Sequence, residues 1–217
     1  MELCSVLLSV LVVTRRIVGG YAPAPNSIKY VVSIQTTTGQ HFCGGSLVNK
    51  FWVLTAAHCN VQVDHMLIVV GDYSLVMYEG TEQFFIPHLL IPHPNYNSQT
   101  NDNDIMLIKL KAPVILNSYV AIVPMPMQGS SVAEGRVCRV SGWGFTSPSG
   151  GQIPSALRTV KLPIVSRERC NGNASFQGNI TANMLCAGYS TGGKDACEFR
   201  RWIDRTIFNY YSRCRHS

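Results

Sequence analysis

A chain of 217 residues, 46% hydrophobic and only 14% charged, has enough apolar material for a real core, and this excludes a disordered or low-complexity polymer. Eighteen Lys and Arg against twelve Asp and Glu give a net charge of +6, and residues 198–217 hold half of that excess, five arginines against Glu198 and Asp204. The body is therefore only mildly basic, with scattered charges, which argues against a nucleic-acid interface built on a clustered cationic face.

Cys4 to Val13 is an apolar run of ten residues. It is too short to span a bilayer and suits the core of a secretory signal, although Glu2 replaces the usual basic start and no small-residue cleavage site precedes Arg16. From Ile17 onward the pattern is short β-prone runs broken by Gly, Pro and Asn. The runs are Lys29 to Gln35, Ser46 to Thr55, Leu67 to Val70, Gln83 to Ile86, Ile105 to Leu110, Arg136 to Ser141 and Thr159 to Val165. This predicts an all-β fold. Tyr119 to Ser131, with Pro124, Pro126 and Gly129, reads as a connector between two halves.

Two sequons, Asn173-Ala174-Ser175 and Asn179-Ile180-Thr181, lie in the polar stretch between Cys170 and Cys186, and in a secreted chain they would put sugars on Asn173 and Asn179 at an exposed surface. Eight cysteines point to an oxidising compartment. In the tail, Phe199, Trp202, Ile203, Ile207, Tyr210 and Tyr211 recur at helical spacing with arginines opposite, which predicts an amphipathic helix.

Several motifs carry a more specific message. Leu54-Thr55-Ala56-Ala57-His58-Cys59 follows an apolar strand, and Asp104 opens Asp104-Ile105-Met106-Leu107-Ile108-Lys109-Leu110. Around them, in order, stand Arg16-Ile17-Val18-Gly19-Gly20, His41-Phe42-Cys43-Gly44-Gly45-Ser46-Leu47, Val140-Ser141-Gly142-Trp143-Gly144, Met184-Leu185-Cys186-Ala187-Gly188 and Gly193-Lys194-Asp195-Ala196-Cys197. Together these resemble the trypsin-like, chymotrypsin-fold serine proteases.

The resemblance implies two six-stranded β-barrels. The chain then divides into a signal-like segment with a short activation peptide at 1–16, an N-terminal barrel at 17–118 and a connector at 119–131. A C-terminal barrel at 132–197, incomplete in this chain, and a basic helix and tail at 198–217 complete it. The resemblance implies His58 as proton acceptor and Asp104 as its orienting acid, with Asp195 at the base of a pocket that selects Lys or Arg. It also implies an activation cleavage between Arg16 and Ile17. Bridges are expected between Cys43 and Cys59 and between Cys170 and Cys186. Cys138 and Cys197 should each have a further partner, and Cys214 can serve only one of them. Asp72, Glu79 and Glu82, with backbone carbonyls near Ser74 and Met77, resemble the family's calcium loop, and hard oxygen donors at that density suit Ca²⁺.

The chain departs from the pattern after Cys197. Glu198-Phe199-Arg200-Arg201-Trp202 follows, and no serine occurs before Ser212. Arg200 and Arg201 stand where the family carries the buried aspartate and the reactive serine, and Phe199 stands where it carries the oxyanion-hole glycine. An internal deletion at this point leaves the family's architecture without a nucleophile. The expectation is an inactive relative of secreted endopeptidases whose partners are protein or peptide substrates or inhibitors, with no nucleic acid and no membrane span. The alternatives are a non-catalytic binding scaffold or an unstable fragment.

Overall fold

Side chains alternate between faces along a strand, and the described strands sort their residues that way. In Met106–Leu110, Met106, Ile108 and Leu110 are buried while Leu107 faces outward. In Val137–Gly142, Cys138 and Val140 are buried while Val137 and Arg139 are exposed. The computed structural model describes residues 17, 19–146, 153–172 and 175–189.

Ten strands carry the fold: β1 (Val31–Thr36), β2 (His41–Asn49), β3 (Trp52–Thr55), β4 (Met66–Val70), β5 (Gln83–Phe85), β6 (Pro87–Pro92), β7 (Met106–Leu110), β8 (Val137–Gly142), β9 (Arg158–Val165) and β10 (Cys186–Ala187). A single turn of helix, α1 (Arg167–Cys170), follows β9. The first sheet runs β5-β4-β1-β2-β3-β7-β6 and is antiparallel throughout. Only Ile86 separates β5, paired with β4, from β6, paired with β7. One continuous segment thus belongs to both ends of the sheet and curls it on itself, so seven strands amount to six chain segments. The second sheet, among the described residues, has the order β10-β9-β8.

The structure refines the sequence reading in three places. Ser46 to Thr55 is not one strand but a hairpin, with Asn49 opposite Trp52 and the Asn49 side chain accepting the Phe51 N–H at 3.0 Å. β6 escapes prediction because Pro87 and Pro92 bound it and its apolar residues do not alternate; both prolines sit at the ends of a strand on the sheet margin, where few ladder donors are needed. β10 has two residues, too few for any periodicity to register.

The two sheets enclose separate cores. Val32, Ile34, Leu47, Val53, Ile68, Met106 and Ile108 fill the first, each burial contributing roughly 1.5–3 kcal/mol. Val140, Val160, Leu162, Ile164 and Ala187 fill the second, together with the fully buried Ile17. The beginning of the described chain therefore belongs with the second sheet: the Ile17 N–H donates to the Phe145 carbonyl and Tyr21 bridges Thr159. A second seam joins Tyr73 and Leu75 to residues 155–157 through Leu75 N–H to Ser155 O at 2.9 Å and Leu157 N–H to Tyr73 O at 2.8 Å.

Cys43 is bonded to Cys59 and Cys170 to Cys186, and Cys138 is also in a disulfide. Among the described residues no cysteine is free, and no helix is long and apolar enough to cross a membrane.

Candidate active site

β3 and β7 pair antiparallel with Thr55 opposite Met106, so the chain leaving β3 and the chain entering β7 lie side by side. His58 sits in the short helical turn Ala57–Cys59 just beyond β3, and Asp104 just before β7. Two ties fix the turn: the Cys43–Cys59 bridge back to β2, and the Thr55 hydroxyl donating to the Gly44 carbonyl at 2.7 Å.

The Asp104 carboxylate, fully buried, accepts twice from His58. Its Oδ1 takes the backbone N–H at 2.7 Å and its Oδ2 the ring Nδ1–H at 2.6 Å. The neutral imidazole has one proton, and with that proton on Nδ1 the Nε2 lone pair is left as a base. His58 keeps 13% of its side chain accessible, whereas Asp104 keeps none. The one polar neighbour of Nε2 among the described residues is Cys59 Sγ at 3.6 Å, a disulfide sulfur with no proton to give. For the same reason the Cys43, His58 and Cys59 grouping offers no thiolate to a metal. The pair can orient and accept a proton; it supplies no nucleophile itself.

A second polar network lies beneath the first sheet. His41 Nδ1 and the Ser33 hydroxyl are 2.8 Å apart, Gln35 Nε2 donates to the same hydroxyl at 3.0 Å, and also to Asp72 Oδ2 at 3.3 Å. The His41 ring packs edge-on against the buried Trp143, 5.3 Å between centroids. Burial pushes its pKa down from 6.5 to about 4. Trp143 in turn donates its indole N–H to the Tyr73 carbonyl at 3.1 Å.

Asp72, at the far end of this network, opens the acidic loop. Gly71 precedes it at φ +73°, where a side chain would meet the Thr81 carbonyl at 2.3 Å; this close approach brings both ends of the loop together. Oxygens of Asp72, Glu79 and Glu82 lie within 4.8 Å of one another. Glu79 accepts the Tyr73 and Ser74 N–H groups at 3.0 Å each, and Glu82 those of Glu79 and Thr81 at 2.7 and 2.9 Å. Asp72 Oδ1 is buried without a partner. Burial, then Glu82 and Glu79, push the Asp72 pKa up to about 7. Three carboxylates close together, one of them with a buried oxygen lacking a partner, form a donor set fit for a hard divalent cation.

Sequence reasoning missed the His41 network, whose members come from β1, β2 and the loop after β4, and the role of Asp102. The Asp102 carboxylate accepts from the Thr181 hydroxyl at 2.5 Å and from Asn183 Nδ2 at 3.2 and 3.3 Å, tying the loop ahead of β7 to the segment ahead of β10. These bonds, Thr181's foremost, hold its pKa below the ordinary carboxylate value. Of the remaining predicted positions, Ile17 is buried and Asn179 is exposed. Arg16, Asn173, Asp195, Cys197, Arg200, Arg201, Cys214 and the predicted tail helix lie outside the described residues.

Comparison with known proteins agrees with this geometry. Residues 17–198 match the model of the Trypsin family. The chain is 48% identical to "Trypsin" of Sus scrofa over 183 residues, covering 84% of this chain and 76% of that one. It is 47% identical to "Trypsin-3" of Salmo salar and 45% identical to "Anionic trypsin" of Canis lupus familiaris over the same length, covering 74% and 71% of those proteins. With a curled antiparallel barrel sheet, a buried aspartate against a histidine, and nearly half of its aligned residues shared with trypsins, the chain belongs to the trypsin family of serine proteases.

Proposed function

We propose that this chain keeps the proton-handling half of a trypsin-like protease and lacks the bond-cleaving half, so that it does not turn over peptides. In the Ser-His-Asp mechanism, a serine oxygen attacks the peptide carbonyl, histidine takes its proton, and the buried aspartate holds the imidazole in the right tautomer. His58 and Asp104 have the contacts these two roles require. The observation that carries the reading is the sequence Cys197-Glu198-Phe199-Arg200-Arg201, with no serine before Ser212. The family match ends at residue 198, which supports it.

Arginine cannot supply the attacking oxygen. Losing the glycine-rich turn also removes the two backbone N–H donors aimed at the developing oxyanion, each worth roughly 3–4 kcal/mol of barrier. Arg200 at the position of the buried aspartate gives a cleaved Ile17 amine another cation to meet, and that closes the usual activation route. Asp195 is then the remnant of a Lys- or Arg-selecting pocket.

The same reading assigns Ca²⁺ to Asp72, Glu79 and Glu82, with backbone carbonyls near Ser74 and Met77 as further ligands; the orphaned Asp72 Oδ1 supports this. There the ion would neutralise the loop and fix it. It also places the chain in the secretory route, which the disulfides support. The domain division is 17–118, 119–131 and 132–197, with Ile17 and Tyr21 crossing to pack on the second sheet; the absence of strands between β7 and β8 among the described residues supports the connector.

The test is turnover of a Lys- or Arg-directed peptide by the segment from Ile17 onward, beside its His58→Ala variant. The expected result is no difference between them. Turnover that depends on His58 would sink the proposal.

A further inference from the structure

We propose that Asn179 carries an N-linked glycan, a reading that rests on the secretory route above. Asn179-Ile180-Thr181 is an acceptor sequence of the stronger, threonine type, with no proline at its middle position. What the structure adds is space and sequence of events. Asn179 is exposed and follows the turn 175–178, in which Gln177 has φ 51° and Gly178 has φ +87°. A side-chain carbon built on Gly178 would meet nothing within 4 Å, so the surface beside the acceptor is open.

The Asn179 amide is bonded to the turn that precedes it. Nδ2 donates to the Phe176 carbonyl at 2.7 Å and uses one of its two hydrogens to do so. In the transfer, Nδ2 bonds to the anomeric carbon of a polyprenyl-pyrophosphate-linked oligosaccharide. The carbon–oxygen bond to the pyrophosphate breaks, the lipid pyrophosphate leaves, and one amide proton passes to a base of the transferase. The remaining N–H can still reach Phe176 O. Ile180, between acceptor and threonine, is buried, and its N–H donates to Asn171 Oδ1 at 2.8 Å, so the peptide backbone points the sugar outward from a fixed base.

The threonine sets the order of events. In the folded chain its hydroxyl is committed to Asp102 Oδ1 at 2.5 Å, on a loop 79 residues earlier in sequence. The transferase needs that hydroxyl in an unfolded acceptor strand. Transfer therefore precedes closure of the Cys170–Cys186 loop and docking on Asp102; in the finished fold the threonine hydroxyl is taken while Asn179 stays exposed.

The experiment translates the full chain, with and without a strong secretory leader added, in the presence of microsomes, and digests the products with external protease. Protection of the product without an added leader tests the secretory reading by itself; the protected product that carries the added leader tests Asn179. The proposal expects one glycosidase-sensitive mobility step that is lost in both Asn179→Gln and Thr181→Ala and kept in Asn173→Gln. Peptide mapping should place the sugar on Asn179. A protected product whose Asn179 is unmodified, or whose only sugar is on Asn173, overturns it.

Discussion

Asp104 holds His58 by two hydrogen bonds at once, one to the backbone N–H and one to the ring, at 2.7 and 2.6 Å. A contact with the ring alone would orient the imidazole; the added backbone bond also pins the turn that carries it. The consequence is that Asp104 is a structural residue of the first sheet as much as a chemical one. Asp104→Ala should lower the stability of this region by about 1–3 kcal/mol, the cost of leaving buried donors unsatisfied. Denaturant unfolding beside Asp104→Asn checks it: the asparagine variant, whose Oδ1 can still accept the His58 backbone N–H, should be the milder of the two.

His41 gives the fold a pH dependence with a definite sign. Its pKa is about 4 in the folded chain against 6.5 when free, because burial beside Trp143 and Ser33 disfavours the charged ring. The unfolded chain therefore binds more protons between these values, and stability present above pH 6.5 is lost as the pH falls toward 4. The upper bound is on the order of 3 kcal/mol. Thermal melts across that window should show a steeper acid loss for the native chain than for His41→Gln, which keeps a polar group toward Ser33. Parallel curves would contradict the assignment.

The acidic loop should respond to calcium. Ion at about a hundred times its dissociation constant adds roughly 2.7 kcal/mol of stability, visible as a rise in Tm that chelator reverses. Asp72→Asn removes one of three crowded charges and keeps an oxygen toward Gln35, so it should be as stable as the native chain in chelator, or more so, and lose most of the calcium response. An equal calcium shift in both proteins would rule these residues out as ligands.

Asp102 links two distant segments, and cutting that link should loosen the later one. Asp102→Ala should speed proteolysis between Cys170 and Cys186, while Asp102→Asn, which retains an acceptor for the Thr181 hydroxyl, should stay close to native. Equal cleavage in all three would mean the disulfide alone holds the loop.

These relationships differ in how visible they were in the sequence, and the difference is physical. His58 and Asp104 stand in short local motifs on strand ends that pair, so the bringing together of the two follows once β3 and β7 are adjacent. Asp72, Glu79 and Glu82 fall within one loop, and its resemblance to the family's calcium loop marked them. By contrast, Asp102 meets Thr181 across 79 residues and His41 meets Trp143 across two sheets, contacts that only tertiary packing creates. The same limit hid β6, whose strand character comes from pairing with β7 and not from its proline-bounded sequence. It also hid which strands Ile17 packs against in the second core, since the run Ile17-Val18-Gly19-Gly20 announces no particular neighbour.

The most direct test is chemical labelling of the purified chain from Ile17 onward with a fluorophosphonate, read by intact mass and peptide mapping. A chain with a base and an orienting acid but no activated hydroxyl should remain unlabelled under conditions that label porcine trypsin to completion. Stoichiometric labelling at a single residue, abolished by His58→Ala, would contradict the account.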